Sequence, residues 1–447
     1  MNQYPNPIGV QVPNVLLPKS QTDFSKWAVV ACDQFTSQKE YWEEAAAYIG
    51  KHPSTLSLIL PEAYLNQPGE TERIADIQAA MRKYMQNGIL EEQGTGFVLV
   101  RRQAEGKERL GLVLALDLEH YDYNKGATTL IRATEGTIVD RIPPRLRIRE
   151  GAPLELPHIL VLIDDPDRTV IEPLAAKTAG MQLLYDTDLM KGGGHVTGHL
   201  VSGSEDISAA LKALEALTDK AAFAAKYGEG HAPLLFAMGD GNHSFATAKA
   251  AWENIKKTLS PVEQENHPAR YALVELENVH DKGIVFEPIH RVLFGIPPEK
   301  AIERLTELLK KENGDVVVRY CANEKDLEYS ATEAQAGAHV LPFFHGTKQG
   351  YFVVRTPKQQ LSVGTLQNAI DALIKEFLHS EVDYIHGEDV VKTLAQKPDT
   401  VGFLLPAMKK SELFPTVVYD GALPRKTFSM GEACEKRYYM ECRKILP

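Results

Sequence analysis

Apolar and polar residues along this chain follow two recurring patterns, helical spacing and short apolar runs typical of buried strands. The predicted helices are Gln38–Ile49, Glu70–Asn87, Asp206–Ala216, Lys220–Tyr227, Glu299–Lys311, Leu366–Leu378 and a closing polar helix, Glu432–Lys444. The predicted strands are Trp27–Cys32, Gly96–Arg102, Leu110–Leu116, Pro157–Ile163, Met181–Tyr185, His195–Val201, Tyr271–Asn278, Ile284–Phe286, Asp315–Arg319, Gly337–Phe344, Gly350–Arg355 and Thr400–Leu405. Their interleaving favours an α/β to α+β fold, with mixed sheets and flanking helices.

A proline pair, Pro297-Pro298, marks the predicted domain boundary. A chain of 447 residues is long enough for two or three domains, each with its own core. We therefore predict an N-terminal α/β region at 1–296 and a C-terminal α/β region at 297–447 that packs back on the functional site of the first.

The candidate site lies in residues 234–244, where an apolar run stops at a Gly-Asp-Gly turn and a helical pattern begins. Strand, glycine turn and helix together direct free backbone N–H groups and the positive end of a helix at one point. Asp240 and His243 add an acid or metal ligand and a proton carrier at that point. The alternative is a capped helix start, in which Asn242 or Ser244 satisfies the first N–H groups and His243 has no chemical role.

A cluster of arginines is the second candidate feature. Pro143-Pro144 lies inside the cluster and predicts that it does not form a regular helix. Irregular backbone rich in guanidinium groups suits bidentate capture of phosphate or carboxylate oxygens, whereas the alternative is a solvated face with scattered ion pairs. His290-Arg291, after Pro288, is a second candidate of the same kind. The clustered residues are Arg132, Arg141, Arg145, Arg147 and Arg149.

Composition and charge narrow the classes of function. Lys plus Arg total 49 against 60 for Asp plus Glu, a formal net charge of −11 that argues against a large nucleic-acid or anionic-membrane surface. No apolar run reaches the roughly twenty residues that cross a bilayer, and the first residues do not form a secretory signal, so we expect a cytoplasmic protein. Its cysteines occur in no Cys-x-x-Cys motif and are expected to be ordinary buried thiols; they are Cys32, Cys321, Cys434 and Cys442.

The turn Gly239–His243, followed by an alanine-rich helix, resembles the Asp-Gly-His-His-Arg signature of domain-of-unknown-function family 1015. Four further segments are similar to that family in order and rough spacing: 32–37 to Tyr-Asp-Val-Ile-Ser, 162–166 to Tyr-Asp-Asp-Pro, 287–291 to Pro-Thr-His-Arg, and 424–428 to Pro-x-Lys-Ser-Thr. The family in turn resembles the ParB/sulfiredoxin group, whose members bind nucleotide phosphates at this turn. The resemblance implies a ParB/sulfiredoxin-like core followed by a C-terminal α/β region.

The chain departs from the family pattern at the turn itself. Asn242 and Ser244 stand where the family usually has His and Arg, and residues 131–134 replace a His-Glu-Arg-Thr segment. One phosphate-binding charge and a second histidine are therefore absent, and a nearby arginine is a candidate to supply the charge. No cysteine lies in the turn, so sulfiredoxin-like chemistry is not expected.

The wider group includes kinases of free serine, and the resemblance implies a phosphotransferase acting on a small hydroxyl-bearing metabolite, with free L-serine as the first candidate. The donor would be a nucleotide or polyphosphate accompanied by Mg²⁺, and the partners would be these small molecules, with no nucleic acid or membrane. The expected catalytic residues are Asp240, His243 and Asp33, with Asp240 also a metal ligand. The expected phosphate- and substrate-binding residues are Gly241, Asn242, Ser244, Arg132, Arg141, Arg149, His290, Arg291 and Lys426.

Two alternatives use the same turn. One is a non-catalytic regulatory protein that binds a nucleotide or anionic metabolite, and the weaker one is a phosphoester hydrolase. The Pro-bounded segment around Lys426 is predicted to fold back over the pocket near Asp240, because irregular backbone is costly to order without contacts. For an isolated lysine the alternative is a solvated surface loop.

Overall fold

The computed structural model describes residues 7–124, 126–136, 141–321 and 337–447. The chain forms two compact units, one made of Met1–Val285 with Met430–Pro447 and the other of Phe286–Ser429. This division differs from the predicted regions 1–296 and 297–447, because the last residues of the chain contribute their side chains to the core of the first unit.

Strands and helices alternate along most of the first unit. Its strands before residue 286 are β1 (Val10–Gln11), β2 (Asn14–Pro18), β3 (Leu90–Thr95), β4 (Phe97–Ala104), β5 (Lys107–Asp117), β6 (Tyr121–Asp122), β7 (Ile131–Arg132), β8 (Leu154–Glu155), β9 (Leu160–Ile163), β10 (Gln182–Asp188), β11 (His195–Val201), β12 (Phe236–Asp240) and β13 (Tyr271–Asn278). Its helices are α1 (Phe24–Trp27), α2 (Lys39–Ile49), α3 (Glu70–Gln86), α4 (Ile142–Arg149), α5 (Glu172–Ala175), α6 (Ser204–Ala216), α7 (Lys220–Tyr227), α8 (Asn242–Lys256) and α9 (Pro261–Asn266).

One mixed sheet organises this unit, in the order β10-β11-β4-β5-β13-β9-β12-β7-β6, with β1 paired to β5. Both faces are buried, as alternate residues of β4 show: Phe97 and Leu99 enter one core, and Val98 and Val100 enter the other. Helices α6 and α8 cover the first face, whereas α2, α3 and the last segment of the chain cover the second. The predicted class, mixed sheets with flanking helices, is confirmed.

The second unit is built on an antiparallel sheet with the strand order β16-β18-β17-β20-β15-β19. Its strands are β14 (Phe286–Pro288), β15 (His290–Phe294), β16 (Val316–Cys321), β17 (His339–His345), β18 (Lys348–Val354), β19 (Glu381–Ile385), β20 (Thr400–Phe403) and β21 (Phe428–Met430), and its helices are α10 (Pro298–Asn313), α11 (Ser362–Glu376), α12 (Glu388–Leu394) and α13 (Lys410–Asp420). The final strand, β22 (Arg443–Lys444), belongs to the first unit and pairs with β8.

Two predicted elements near the ends of the chain are wrong. Instead of a strand at 27–32, α1 ends at Trp27 and Val30 makes only an isolated bridge with Tyr438. Instead of a closing helix at 432–444, a 3-10 turn at Ala433–Glu435 leads into extended chain. Tyr438, Tyr439 and Met440 are all buried. A surface helix with a single apolar stripe does not bury three consecutive residues.

The prediction for the arginine-rich segment is also wrong, because residues 142–149 form helix α4 despite Pro143-Pro144. The two prolines occupy the first turn, where backbone N–H groups have no partner within a helix, so their missing N–H groups cost nothing there. The cysteines are free thiols, and only Cys442 is buried, while the other three are half-exposed. Within the described ranges, no helix has both the length and the apolar character that crossing a membrane requires.

Candidate functional site

The predicted strand–turn–helix is present, and glycine is required at its centre. Strand β12 ends at Asp240, Gly241 adopts a left-handed conformation with φ +76°, and α8 begins at Asn242. A Cβ atom added to Gly241 would lie 3.1 Å from the Cα atom of Ile159, so a side chain would crowd Ile159 as well as strain the backbone. The register of β12 against β9 also shifts between Met238 and Asp240. Such irregularities re-aim a side chain at a strand end.

Asp240 forms an ion pair with a lysine from the end of the chain. Its Oδ2 lies 3.0 Å from Lys436 Nζ, and its Oδ1 accepts a hydrogen bond of 2.8 Å from the Gly241 N–H. The Lys436 side chain is 8% exposed and that of Asp240 is 24% exposed. Burial by itself raises the pKa of Asp240, but Lys436, His158 and the Gly241 N–H together hold that pKa below its usual value.

Lys436 reaches the turn because the C-terminal segment pairs with residues 29–31. The Ala31 N–H donates to the Arg437 carbonyl at 2.9 Å, and the Tyr439 N–H donates to the Val29 carbonyl at 2.9 Å. This pairing places residues from both ends of the first unit beside the N-terminus of α8.

A chain of hydrogen bonds adjoins the turn. His158, which is buried in front of β9, has Nδ1 2.7 Å from the Tyr439 hydroxyl and Nε2 3.0 Å from Ser244 Oγ. The Cys32 N–H donates to the Tyr439 hydroxyl oxygen at 3.1 Å. Ser244 of the predicted turn is therefore tied to residues 32, 158 and 439.

Asp33 lies at the edge of this group. Its Oδ2 is 4.0 Å from His158 Nε2, and its Oδ1 accepts a hydrogen bond of 3.0 Å from Gln34 Nε2. With 30% of its side chain exposed, Asp33 is the more accessible of the two predicted catalytic carboxylates. The structure thus brings Asp33, Asp240 and Ser244 together around His158.

The remaining residues of the turn lie in the first turn of α8. Asn242 Nδ2 is 3.5 Å from Thr134 Oγ1, and within the described parts of the chain Asn242 Oδ1 is buried without a hydrogen-bond partner. His243 is half-buried, and its carbonyl accepts a hydrogen bond from Thr247 Oγ1. The Asn242 side chain does not cap the helix, and the N-cap residue is Gly241.

The predicted phosphate-binding arginines separate into different environments. Arg132 is buried and donates to the carbonyls of Thr129, Ala232 and Pro233, so its contacts hold the chain before β12 rather than offer charge to a ligand. Burial also lowers the pKa of Arg132.

The other two arginines lie at the two ends of α4, which packs against α8. Arg141 precedes that helix and is exposed. Arg149 forms an ion pair with Glu155 at 2.6 Å and lines the same cavity as Ser244 and His158. Of the predicted arginines, Arg149 is therefore the one that the structure brings to the site.

His290, Arg291 and Lys426 belong to the second unit. Arg291 is fully buried and donates to the carbonyls of Ile289, Arg425 and Lys426, and His290 Nδ1 accepts from the Leu405 N–H at 3.1 Å. These contacts order the segment around Lys426, whose own side chain is exposed. The placement of Lys426 at the pocket near Asp240 stays a prediction.

Metal ligation by Asp240 also stays a prediction. Across residues 7–124, 126–136, 141–321 and 337–447, three or more His, Cys, Asp or Glu side chains are nowhere grouped so as to hold a metal ion. Asp240 Oδ2 contacts an ammonium instead.

Three residues of the site were not identified from sequence: His158, Lys436 and Tyr439. His158 directly precedes the apolar run of β9, a position from which strand-end side chains commonly reach a site. Lys436 and Tyr439 lie in the segment predicted as a polar helix. The interleaving of charged and aromatic residues at 435–443 was the available signal of a buried, extended segment.

The family resemblance is confirmed by a family model described as "Protein of unknown function (DUF1015)", which matches residues 16–373. No curated protein matches the chain. Among solved structures, the chain is similar to a conserved hypothetical protein from Pyrococcus furiosus, with 12% identity and a TM-score of 0.34 over 75% of this chain and 95% of that one.

Two further solved structures are similar to the chain. One is a free serine kinase in complex with AMP, with 11% identity and a TM-score of 0.36 over 75% of this chain and 91% of the kinase. The other is SbnI with C-terminal truncation from Staphylococcus aureus, with 11% identity and a TM-score of 0.33 over 71% of this chain and 82% of that one. These likenesses are remote, and the chemistry of the site follows from its own residues.

Proposed function

The chain belongs to the DUF1015 family of proteins of unknown function, and we propose its function from the residues of the site. The proposed function is transfer of a phosphoryl group from a nucleotide or polyphosphate to a hydroxyl of a small metabolite. Free L-serine is the first candidate acceptor. One observation supports this most strongly, the buried Lys436 ammonium beside Asp240 at the N-terminus of α8. The positive end of a helix dipole and an ammonium at one point favour binding of an anion such as a phosphate.

In the proposed reaction, the donor phosphates bind at the turn, where Lys436, His243 and the first N–H groups of α8 neutralise their charge. The acceptor hydroxyl oxygen bonds to the terminal phosphorus, and the bond from phosphorus to the bridging oxygen of the donor breaks. The hydroxyl proton passes to the Asp33 carboxylate, which is half-exposed and adjoins His158. Asp240 orients Lys436. Positioning and charge neutralisation account for most of the catalysis in phosphoryl transfer.

Mg²⁺ is proposed to accompany the donor. Protein-bound Mg²⁺ commonly has one or two carboxylate ligands and takes the rest from substrate phosphates and water, so a dedicated cluster of protein ligands is not required. Asp33 fits this role better than Asp240, whose Oδ2 contacts Lys436, provided that one Asp33 oxygen would hold the ion and the other would receive the proton. When bound, the ion would supply positive charge to the transferring phosphoryl group.

A second candidate, non-catalytic binding of a nucleotide or anionic metabolite, is favoured by one observation. The Asp240 carboxylate is already paired with Lys436 and the Gly241 N–H, so of the two predicted catalytic carboxylates only Asp33 could serve as a base. A sensor needs the anion site but no base.

The test is to incubate the protein with Mg²⁺, L-serine and ATP, ADP, pyrophosphate or polyphosphate in turn, and to follow phosphoserine by ³¹P NMR. We expect Asp33→Asn to reduce the rate by about 10²-fold or more, the usual contribution of a general base. Asp76→Asn is the matched control, because Asp76 is an exposed carboxylate on α3 and should leave the rate unchanged.

Two other outcomes are informative. If ATP or pyrophosphate raises the melting temperature but phosphoserine never forms, the sensor is supported and the kinase is wrong. If Lys436→Met leaves the affinity for ATP and pyrophosphate unchanged, the anion site itself is in the wrong place.

A further inference from the structure

Beside the turn, the first unit contains a cavity of about 140 Å³. Helix α4, the segment 154–159 and the N-terminal part of α8 contribute to its wall. An apolar cavity of about 150 Å³ in another protein binds benzene, so this volume suits a molecule of roughly five to seven heavy atoms.

The floor of the cavity is apolar. Leu58, Leu60, Leu154 and Leu273 line it, and each is at most 4% exposed. A polar or zwitterionic molecule would lose its hydration against these side chains without compensation. An aliphatic body would gain about 25 cal/mol for each Å² of apolar surface removed from water.

The charges in the wall are already paired. Arg145 donates to the Glu62 carboxylate, and Arg149 lies 2.6 Å from the Glu155 carboxylate. Glu155 is also paired with Arg443, so each of these charges already has a partner of opposite sign. Breaking one of these contacts to bind a charged ligand would leave a partly buried charge uncompensated. The wall therefore favours a neutral ligand.

One polar group of the cavity, the Ser244 hydroxyl, can donate a hydrogen bond to a ligand. The Tyr439 oxygen accepts from the Cys32 N–H, and we assign the hydroxyl of this buried tyrosine as the donor to His158 Nδ1. When His158 is neutral, its proton is therefore assigned to Nε2, which donates to Ser244 Oγ at 3.0 Å. Among the described residues, Ser244 Oγ makes no other hydrogen bond, so its own proton is available to an acceptor in the cavity.

We propose that this cavity is a binding site for a small neutral alcohol or carbonyl compound with a compact aliphatic body, whose oxygen accepts a hydrogen bond from Ser244. The site is distinct from the anion site at Lys436, and it requires no phosphate donor. The proposal therefore stands or falls independently of phosphoryl transfer.

The probe is 3-methylbutan-1-ol, which has six heavy atoms, and 3-methylbutan-1-amine is its charged isostere at neutral pH. Binding is measured by saturation-transfer NMR on the full chain without phosphate donor. We expect the alcohol to bind at least about tenfold more tightly than the amine. Ser244→Ala should weaken binding of the alcohol by about 3- to 10-fold, which is the effect of losing one neutral hydrogen bond.

A cavity-filling pair tests the location. Ala152 is buried in the cavity wall, and Ala152→Leu should abolish binding of the alcohol. Ala47→Leu adds the same atoms at an exposed position of α2 and should leave binding unchanged. If Ala152→Leu does not fold, Ser244→Ala still tests the proposal. Equal binding of alcohol and amine, or unchanged binding in Ser244→Ala or in folded Ala152→Leu, overturns it.

Discussion

Replacing Lys436 by Met is the sharpest test of the ion pair at the turn. The substitution removes the ammonium while keeping most of the apolar stem, so packing is preserved and the charge is the main change. The Asp240 carboxylate stays partly buried and keeps only one of its two described partners, the Gly241 N–H.

The magnitude follows from the exposure of the two side chains. Removing one partner of a fully buried ion pair costs about 3–5 kcal/mol, whereas an exposed pair is worth about 0–1 kcal/mol. Lys436 is 8% exposed and Asp240 is 24% exposed, so the pair lies nearer the buried limit. We expect Lys436→Met to lower the free energy of unfolding by about 2–3 kcal/mol at neutral pH.

The assay is urea unfolding followed by tryptophan fluorescence. The chain contains three tryptophans, Trp27, Trp42 and Trp252, and all three are buried in the first unit. Their emission therefore reports the unfolding of the unit that contains the pair. The matched control is Lys444→Met, because Lys444 lies in the same segment and pairs with Glu92 at 51% and 49% exposure. Lys444→Met should lower the free energy of unfolding by at most about 1 kcal/mol.

The effect of pH gives a second readout with a definite sign. In the native protein the pKa of Asp240 lies below its ordinary value of 3.8, which is the value expected in the unfolded chain. The ionised carboxylate therefore stabilises the fold at pH values above 3.8. This contribution is lost as the pH falls through the lower pKa of the folded protein. Without Lys436, burial dominates and raises the pKa of Asp240, so the variant is penalised at neutral pH and less at acidic pH. The difference between the two proteins should shrink from pH 7 towards pH 4. An equal loss at both values, or no loss, refutes this account of the pair.

The remaining predictions concern the turn and the second unit. Gly241→Ala should lower the free energy of unfolding, followed by tryptophan fluorescence, by about 1–3 kcal/mol, and this loss should be larger than that of Gly69→Ala. Both positions have φ near +80°, but of the two only Gly241 has a neighbour, Ile159, within 4 Å of an added Cβ atom. Equal losses would show that the contact with Ile159 is unimportant. Arg291→Met should speed amide hydrogen exchange around Lys426 by removing three backbone-directed donors, whereas Arg304→Met, on an exposed ion pair, should not.

The strand–turn–helix was predictable because its signals are local. Residues 234–257 contain an apolar run, a glycine at the position where the chain turns, and a helical pattern. Asp240 and Ser244 were both identified as candidates on this turn, and their roles stay predictions. Their partners Lys436 and His158 were not predicted, because contacts between residues far apart in the sequence leave no periodic trace in one sequence.

The errors in the fold have similar causes. Pro143-Pro144 predicts a break only if it falls inside a helix, and the sequence does not show that it falls in the first turn of α4. Arg132 and Arg291 were interpreted as ligand-binding charges because guanidinium groups on irregular backbone suit bidentate capture of phosphate or carboxylate oxygens. Their guanidinium groups instead satisfy backbone carbonyls, a role that only the three-dimensional arrangement identifies.

The first unit is discontinuous, and the Gly431 N–H donates to the Val285 carbonyl at 3.2 Å where the chain leaves and re-enters it. Translation adds residues 430–447 only after the whole second unit, so the first unit gains this part of its core later than the rest. The Asp240 carboxylate acquires Lys436 in the same step. The order of synthesis therefore separates the appearance of strand β12 and its turn from that of the ion pair beside them.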